Sequence, residues 1–153
     1  MADRMSKAAR SALMSKVRNK HTKPELIVRS RLHHAGFRFR LHDKSLPGTP
    51  DLVLKKHRTA IFVNGCFWHG HGCKKSKLPA TRTEFWQAKI ERNKARDAQQ
   101  KRALTQQGWA VFTIWECKLE GDLSAAIRHL STKNDPKRMS RVVPRTNNEY
   151  RLV

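Results

Sequence analysis

The segment GCFWHGHGC, residues 65–73, brings thiol, imidazole and aromatic side chains together in one short stretch. Cys66, His71 and Cys73 are ligand types that zinc takes in structural sites, where four such groups surround the ion in a tetrahedron. The glycines between them permit the sharp bend that three ligands on one loop require. The segment therefore predicts a metal site with zinc as its metal.

A fourth ligand must come from elsewhere in the chain. Of the three cysteines, only Cys117 lies outside the segment, and it follows an apolar stretch, 109–115, that can lie beside the strand before the segment. His69 competes with His71 as a ligand, and spacing alone does not choose between them. The alternative is that both thiols of the segment are plain core residues. The polar and glycine neighbours of Cys73 argue against that alternative.

A carboxylate follows a proline turn and opens a short apolar stretch. Asp51 begins DLVL, and the next apolar stretch, IFVNGC, offers a second ligand position on a neighbouring strand. Oxygen ligands suit Mg²⁺, which neutralises charge developing on a scissile phosphate. Pro-Asp also occurs in turns without any such role. The arrangement is typical of metal-dependent nucleases, and it predicts a Mg²⁺ site at Asp51.

Two further side chains have the chemistry that hydrolysis needs. Glu25 is either a helix-capping residue or a second carboxylate acting on metal-bound water, and capping needs fewer assumptions. If His71 binds the metal, His69 remains near the same strand end as a general acid or base around neutral pH. Together with Asp51 they indicate a phosphodiester-cleaving enzyme.

Charge limits the class of partner. Lys plus Arg number 33 against 12 for Asp plus Glu, a net charge of +21 with a pI near 11.0. A charge of this size favours a polyanionic partner. No helix pairs a wide apolar face with a basic one, so nucleic acid is favoured over a membrane surface. With no signal peptide and no apolar run long enough to cross a bilayer, a cytoplasmic protein is expected.

The surrounding pattern predicts an α/β domain. A helical arm is expected in residues 1–20, followed by a helix that Thr22 caps and Gly36 ends. A long helix over 81–107 and a short helix over 122–130 are expected later in the chain. The expected strands are 37–41, 51–54, 59–65 and 109–115. Thr81 and Glu84 form the capping pair of the long helix, and 109–115 is expected to be central. After the arm, the order α, βββ, α, β, α predicts a three-layer αβα domain with a mixed sheet over residues 1–130. Residues 131–153 are expected to form a basic, mobile tail.

Four joined motifs resemble one bacterial family of DNA repair enzymes. SLPGTPDLVL, IFVNGCFWHGHGC, PATRTEFWQAKIERN and GWAVFTIWEC occur in order, and together they are similar to the very short patch repair (Vsr) endonucleases. That family nicks DNA at thymine–guanine mismatches, which arise when 5-methylcytosine deaminates. The resemblance spans residues 7–119. It implies a restriction-endonuclease-like fold with a structural zinc and a catalytic Mg²⁺.

The resemblance also implies a role for individual residues. The zinc ligands would be Cys66, His71, Cys73 and Cys117, which leaves His69 for catalysis. Asp51 and the backbone carbonyl of Val63 would bind Mg²⁺, with Glu25 holding metal-bound water. The side chains that enter the base stack beside the mismatch would be Phe67, Trp68, Trp86 and, from the N-terminal helix, Met14. On sequence alone, core packing is the competing explanation for the three aromatic residues.

One departure from the family pattern bears on activity. Asn64 stands where well-known members have a histidine that activates the attacking water, and Val63 stands where they commonly have threonine. An amide can orient water but cannot take its proton. An active enzyme is expected, with Asn64 as a water-positioning catalytic residue. The alternatives are a mismatch-binding protein with weak or no activity and, ranked last, a dimeric endonuclease that cuts both strands.

The partners expected from this resemblance are few. The first is double-stranded DNA containing a T:G mismatch, bound by a monomer. The family also implies a functional link to a DNA cytosine-5 methyltransferase, and a bacterial, nucleoid-associated location.

Overall fold

The computed structural model describes residues 6–17 and 19–133, which form one mixed β-sheet with helices. The helices and strands, in chain order, are α1 (Lys7–Ser15), α2 (Lys23–His34), β1 (Arg40–Leu41), β2 (Leu52–Leu54), β3 (Thr59–Asn64), α3 (Thr83–Gln106), β4 (Ala110–Trp115) and α4 (Leu119–Lys133). The predicted α/β class with a mixed sheet is confirmed. No helix in these ranges is long and apolar enough to span a membrane.

The start and the end of α2 follow local sequence signals. Thr22 caps the helix by accepting a hydrogen bond from the Glu25 backbone N–H, and a proline occupies the first turn, where its missing N–H costs nothing. Gly36 ends the helix with φ of 83°, a backbone conformation that favours glycine. The predicted cap and stop are both confirmed.

The strand pairing places the ends of two strands at one edge of the sheet. The order is β1-β2-β3-β4, with antiparallel pairing of β1 to β2 and of β2 to β3, and parallel pairing of β3 to β4. In the parallel pair Asn64 lies opposite Trp115. The segments that follow the two strands, 65–73 and 116–118, therefore leave the sheet side by side.

The core lies between one face of the sheet and two helices. Alternate residues of a strand point to the same face, and Leu52, Ile61 and Ile114 pack against apolar side chains of α2 and α4. The buried members of this cluster are Val28, Leu32, Phe37, Leu52, Leu54, Ile61, Ile114, Leu123 and Leu130. This packing makes β2 and β3 a rigid base for the residues at their ends.

Four details of the sequence prediction were wrong. β1 is shorter than the predicted 37–41, because Phe37 turns into the core instead of pairing. α3 begins at Thr83. The residue before it, Arg82, has φ of 54° and forms no side-chain capping hydrogen bond, so Thr81 and Glu84 do not form the predicted capping pair. Within the described residues β4 pairs with β3 alone and is an edge strand, not a central one. α4 is longer than the predicted 122–130 and includes residues 131–133, which were predicted to belong to the tail. The rest of the predicted tail, residues 134–153, lies outside the described residues.

Candidate active site and metal centre

Three cysteines and one histidine converge where β3 and β4 end. Cys66, His71 and Cys73 come from the loop after β3, and Cys117 comes from a short 3₁₀ turn after β4. Their ligand atoms all lie within 4.8 Å of one another, and His71 Nδ1 is 3.2 Å from Cys117 Sγ. The structure thus brings together the four residues that the resemblance implied as zinc ligands, and the cluster can hold a metal ion.

The loop holds His71 in place from several sides. The His71 backbone N–H donates a hydrogen bond to the Cys66 carbonyl oxygen, 3.1 Å away. Its ring stacks on Trp115 of β4, with centroids 4.2 Å apart. Gly70 and Gly72 have φ of 59° and 84°, the left-handed conformation that the bend requires. His69 lies outside the cluster.

The electrostatics of the cluster favour a bound cation. Burial raises the pKa of the Cys66 thiol to about 12, whereas a hydrogen bond with His71 lowers the pKa of Cys73 to about 6. One thiol therefore ionises easily while the other resists ionisation, because burial penalises the charged form of Cys66. A divalent cation removes that conflict by deprotonating the coordinating thiols.

A second group of possible ligands lies near the same end of β3, beside the start of the antiparallel strand β2. Asp51 lies just before β2, and its Oδ2 accepts a hydrogen bond from the Val63 backbone N–H at 2.7 Å. Glu25 reaches the same place from α2, and the ligand atoms of Glu25, His42 and Asp51 lie within 4.8 Å of one another. The predicted pair of carboxylates is thus brought together with Val63.

Glu25 is fully engaged by its own helix. It is 2% exposed, accepts hydrogen bonds from the Thr22 hydroxyl and the His21 backbone N–H, and forms a 2.9 Å ion pair with Arg29. Capping and pairing with Arg29 account for its burial. The carboxylate also lines the cleft beside Asp51.

Sequence reasoning missed His42 and Arg29. His42 Nδ1 is 3.6 Å from Asp51 Oδ1, and Arg29 Nη2 is 3.1 Å from His42 Nε2. Because guanidinium only donates hydrogen bonds, the Nε2 atom of His42 accepts, and in the neutral ring its proton is on Nδ1, facing Asp51. Pairing of β1 with β2 would have revealed His42, since the register that joins Leu41 to Leu52 continues to His42 and Asp51.

Burial and nearby charge raise the pKa of Asp51 to about 6. Desolvation is the largest cause and the Glu25 carboxylate adds to it, while the Val63 N–H, His69 and Arg29 act in the opposite direction. An ionised Asp51 is therefore costly in the absence of a cation. Raised carboxylate pKa values of this kind are concentrated at functional sites.

His69 is oriented by a carboxylate from α3. Its Nδ1 lies 2.5 Å from Asp97 Oδ2, so Nε2 is the ring atom free to face a substrate. One turn earlier on the same helix, the Asn93 side chain donates a hydrogen bond to the Trp68 carbonyl oxygen at 2.9 Å. Asp97 was not identified from the sequence, because it lies in a helix rich in charged residues where nothing marks it as special.

The three predicted intercalating aromatic residues form a single half-buried cluster. Ring centroids are 5.1 Å apart for Phe67 and Trp68, 5.4 Å for Phe67 and Trp86, and 6.0 Å for Trp68 and Trp86. The Lys89 ammonium lies 5.3 Å from the Trp68 ring centroid. These residues are absent from the main core cluster, which argues against simple core packing.

One cleft of about 970 Å³ joins these groups. The predicted residues among its lining are Met14, Glu25, Asp51, Val63, Asn64, Trp68, His69 and Trp86. Met14 belongs to α1 and is 40% exposed. Hydrolytic groups and large apolar side chains therefore face the same space, while the Cys/His cluster lies behind it.

Comparison with known proteins identifies the family. The family described as DNA mismatch endonuclease Vsr matches residues 2–75. A Type II nicking enzyme, V.XorIIP of Xanthomonas oryzae pv. oryzae, is 51% identical over 132 residues, which cover 85% of this chain and 97% of that protein. The chain belongs to the Vsr family of DNA mismatch endonucleases. DNA mismatch endonuclease Vsr of Escherichia coli is 46% identical over 121 residues, covering 79% of this chain and 78% of the relative. The Type II nicking enzyme V.NmeAIP of Neisseria meningitidis is 43% identical over 120 residues, covering 78% and 86%.

The loop of this Vsr-family chain offers a matched pair of glycine substitutions. Alanine is strained at both Gly70 and Gly72 because φ is positive at each, but only at Gly70 would a Cβ also meet Ile90 Cγ2 at 2.6 Å. We expect Gly70→Ala to lower the free energy of unfolding by on the order of 1–3 kcal/mol more than Gly72→Ala. Urea denaturation measures both values, and equal losses would contradict the close packing of this loop on α3.

The raised pKa of Asp51 predicts that its charge destabilises the metal-free fold. The pKa is raised from 3.8 to about 6 on folding, so the penalty is present above pH 6 and disappears as the pH falls below about 4. Asp51→Asn should raise the free energy of unfolding at pH 7.5 in magnesium-free buffer by on the order of 2 kcal/mol. The gain should shrink between pH 6 and pH 4.

Asp43→Asn is the matched control for this measurement. Hydrogen bonds from Ser45 lower the pKa of Asp43, so its ionised form already stabilises the fold. No gain in stability is expected for this variant at pH 7.5. A gain for Asp51→Asn that did not change with pH would exclude ionisation as its cause.

Proposed function

We propose that this chain is a Mg²⁺-dependent endonuclease that makes one nick on the 5′ side of the thymine in a T:G mismatch. Such mismatches arise when 5-methylcytosine deaminates, and the nick initiates very short patch repair. The observation that carries this proposal is the shared cleft, in which a carboxylate centre and two rings of the aromatic cluster, Trp68 and Trp86, face one space. Family membership supports it, since relatives are described as mismatch endonucleases and nicking enzymes.

Asp51 and the Val63 carbonyl oxygen are the proposed Mg²⁺ ligands. Oxygen ligands fit this hard cation, and because burial raises the pKa of Asp51, a bound cation would stabilise its ionised form. When bound, Mg²⁺ supplies charge neutralisation at the phosphate and a more acidic water. The Val63 backbone N–H, hydrogen-bonded to Asp51 Oδ2, keeps the carboxylate oriented, and His42 lies 3.6 Å from its other oxygen.

The remaining catalytic work is assigned to three side chains. Asn64, which is 5% exposed and lines the cleft, orients the attacking water through its amide. Glu25 orders a water beside Asp51 from a carboxylate held in place by its capping contacts. His69 exchanges a proton at Nε2 with the substrate, and Asp97 holds its ring in position. A histidine oriented in this way supplies the proton acceptor that an amide at position 64 cannot.

The aromatic cluster supports recognition of a weakened base step. Wedging apolar side chains between base pairs costs a few kcal/mol, and the cost is lowest where pairing is already poor. We infer that Phe67, Trp68 and Trp86 enter the stack beside the mismatch, while Met14 enters from the other groove. Rings that pack on each other and on Lys89 before binding lose little entropy when they insert.

We infer that the Cys/His cluster holds a structural zinc. Three cysteine thiolates and one imidazole form a closed zinc site with no position left for substrate. The ion would clamp the loop that carries Phe67 and Trp68 to the end of β4. We also propose that residues 1–130 form a three-layer, restriction-endonuclease-like domain. The protein would act in the cytoplasm as a monomer, in cooperation with a DNA cytosine-5 methyltransferase.

Nicking of defined duplexes tests the proposed activity. With Mg²⁺, a duplex carrying one T:G mismatch should be cut in the thymine strand, while the matched duplex and any reaction with EDTA should stay intact. Asp51→Ala should reduce nicking by at least 100-fold, an order expected for loss of a main metal ligand, and leave mismatch binding in place.

The other outcomes separate the competing functions. Equal cutting of both duplexes would refute mismatch specificity, and a double-strand break would favour a dimeric endonuclease. Mismatch binding without cleavage under any divalent metal would favour a binding protein, for which Asn64 is the specific sequence argument.

Zinc content, measured in wild type and in variants of His71 and His69, tests the assignment of the metal ligands. Elemental analysis of the purified protein should find about one zinc per chain. His71→Gln should lose that zinc and unfold at a lower temperature, because a structural zinc contributes on the order of 10 kcal/mol to folding. His69→Gln should keep the zinc and lose nicking activity. Zinc retention in His71→Gln would show that the ligand set is wrong.

A further inference from the structure

One face of α3 supplies a row of polar side chains to the cleft. Lys89, Asn93, Asp97 and Lys101 are spaced four residues apart and all line the cleft, as expected for one face of a helix. Lys101 is the last of the row, one turn beyond the residue that orients His69.

The first three members of the row have internal partners. The Lys89 ammonium lies over the aromatic rings, Asn93 holds the Trp68 carbonyl, and Asp97 holds His69. Lys101 differs from them. Among residues 6–17 and 19–133 no side chain forms an ion pair or hydrogen bond with its ammonium group, although Lys101 is half-buried.

A half-buried ammonium without a partner is costly for the free protein. Burial lowers the pKa of Lys101, and the Asp97 carboxylate, already bound to His69, offsets this only in part. Hydration lost by a charged group must be replaced by another interaction or the fold loses stability. In a protein of net charge +21, the missing anion is expected from outside.

We propose that Lys101 binds a backbone phosphate of the DNA strand in the cleft, one helical turn from the His69–Asp97 pair. This assignment rests on the proposed function, since it requires nucleic acid in the cleft. One turn of helix is about 5.4 Å, so Lys101 contacts a phosphate next to the one that His69 reaches. A lysine acts there as a compact point charge that needs no defined orientation.

Salt-dependent binding tests the assignment with variants of Lys101 and of its neighbour Arg102. Affinity for the mismatched duplex is measured without divalent metal over a series of salt concentrations for wild type, Lys101→Met and Arg102→Met. Arg102 is exposed and adjacent in sequence, so its variant loses the same charge outside the cleft. Lys101→Met should reduce the slope of log K against log salt by about 0.9, as loss of one phosphate contact requires. Arg102→Met should change it much less, and Lys101→Arg should restore it.

Thermal unfolding of the same proteins gives an independent readout. Since methionine removes the uncompensated ammonium, Lys101→Met should unfold at a temperature equal to or above that of wild type. A large loss of thermal stability would show that Lys101 has an internal structural role and would overturn the proposal. The proposal would also be overturned if wild type binds and nicks DNA normally but the slope of log K against log salt is the same for Lys101→Met and Arg102→Met. Failure of the wild-type protein to bind DNA would instead refute the proposed function, and this assignment with it.

Discussion

Parallel pairing of β3 with β4 is the constraint on which the rest of the site depends. It places Asn64 opposite Trp115, so the loops that follow the two strands emerge together. Cys66, on one loop, and Cys117, on the other, can then share one cluster. Without this register the loop that carries the aromatic residues would have no anchor on β4, and the cleft would lose one wall.

The two clusters of ligand atoms do different physical work. The Cys/His cluster is a closed set of four side chains that joins two chain segments, which suits structural stabilisation. The Asp51 centre is open to the cleft and keeps a carboxylate whose pKa burial raises to about 6. Such a carboxylate costs stability in the free protein, a cost typical of groups that are retained for a ligand.

α3 contacts both the aromatic cluster and His69. One of its faces carries Lys89 against the aromatic rings, Asp97 against His69, and Lys101 at the end of the cleft. The Asn93 side chain also donates a hydrogen bond to the Trp68 carbonyl oxygen, so the helix holds the backbone of the residue before His69.

Local signals in the sequence determined the elements and many candidate residues. The Thr22 cap, the Gly36 stop and the ligand-rich segment 65–73 could be identified because each depends on near neighbours in the chain. Tertiary structure alone decided that β4 lies at the sheet edge, that Asp97 orients His69 and that His42 faces Asp51. These facts depend on contacts between residues far apart in sequence, whose geometry is set by strand register and helix packing and leaves no local pattern.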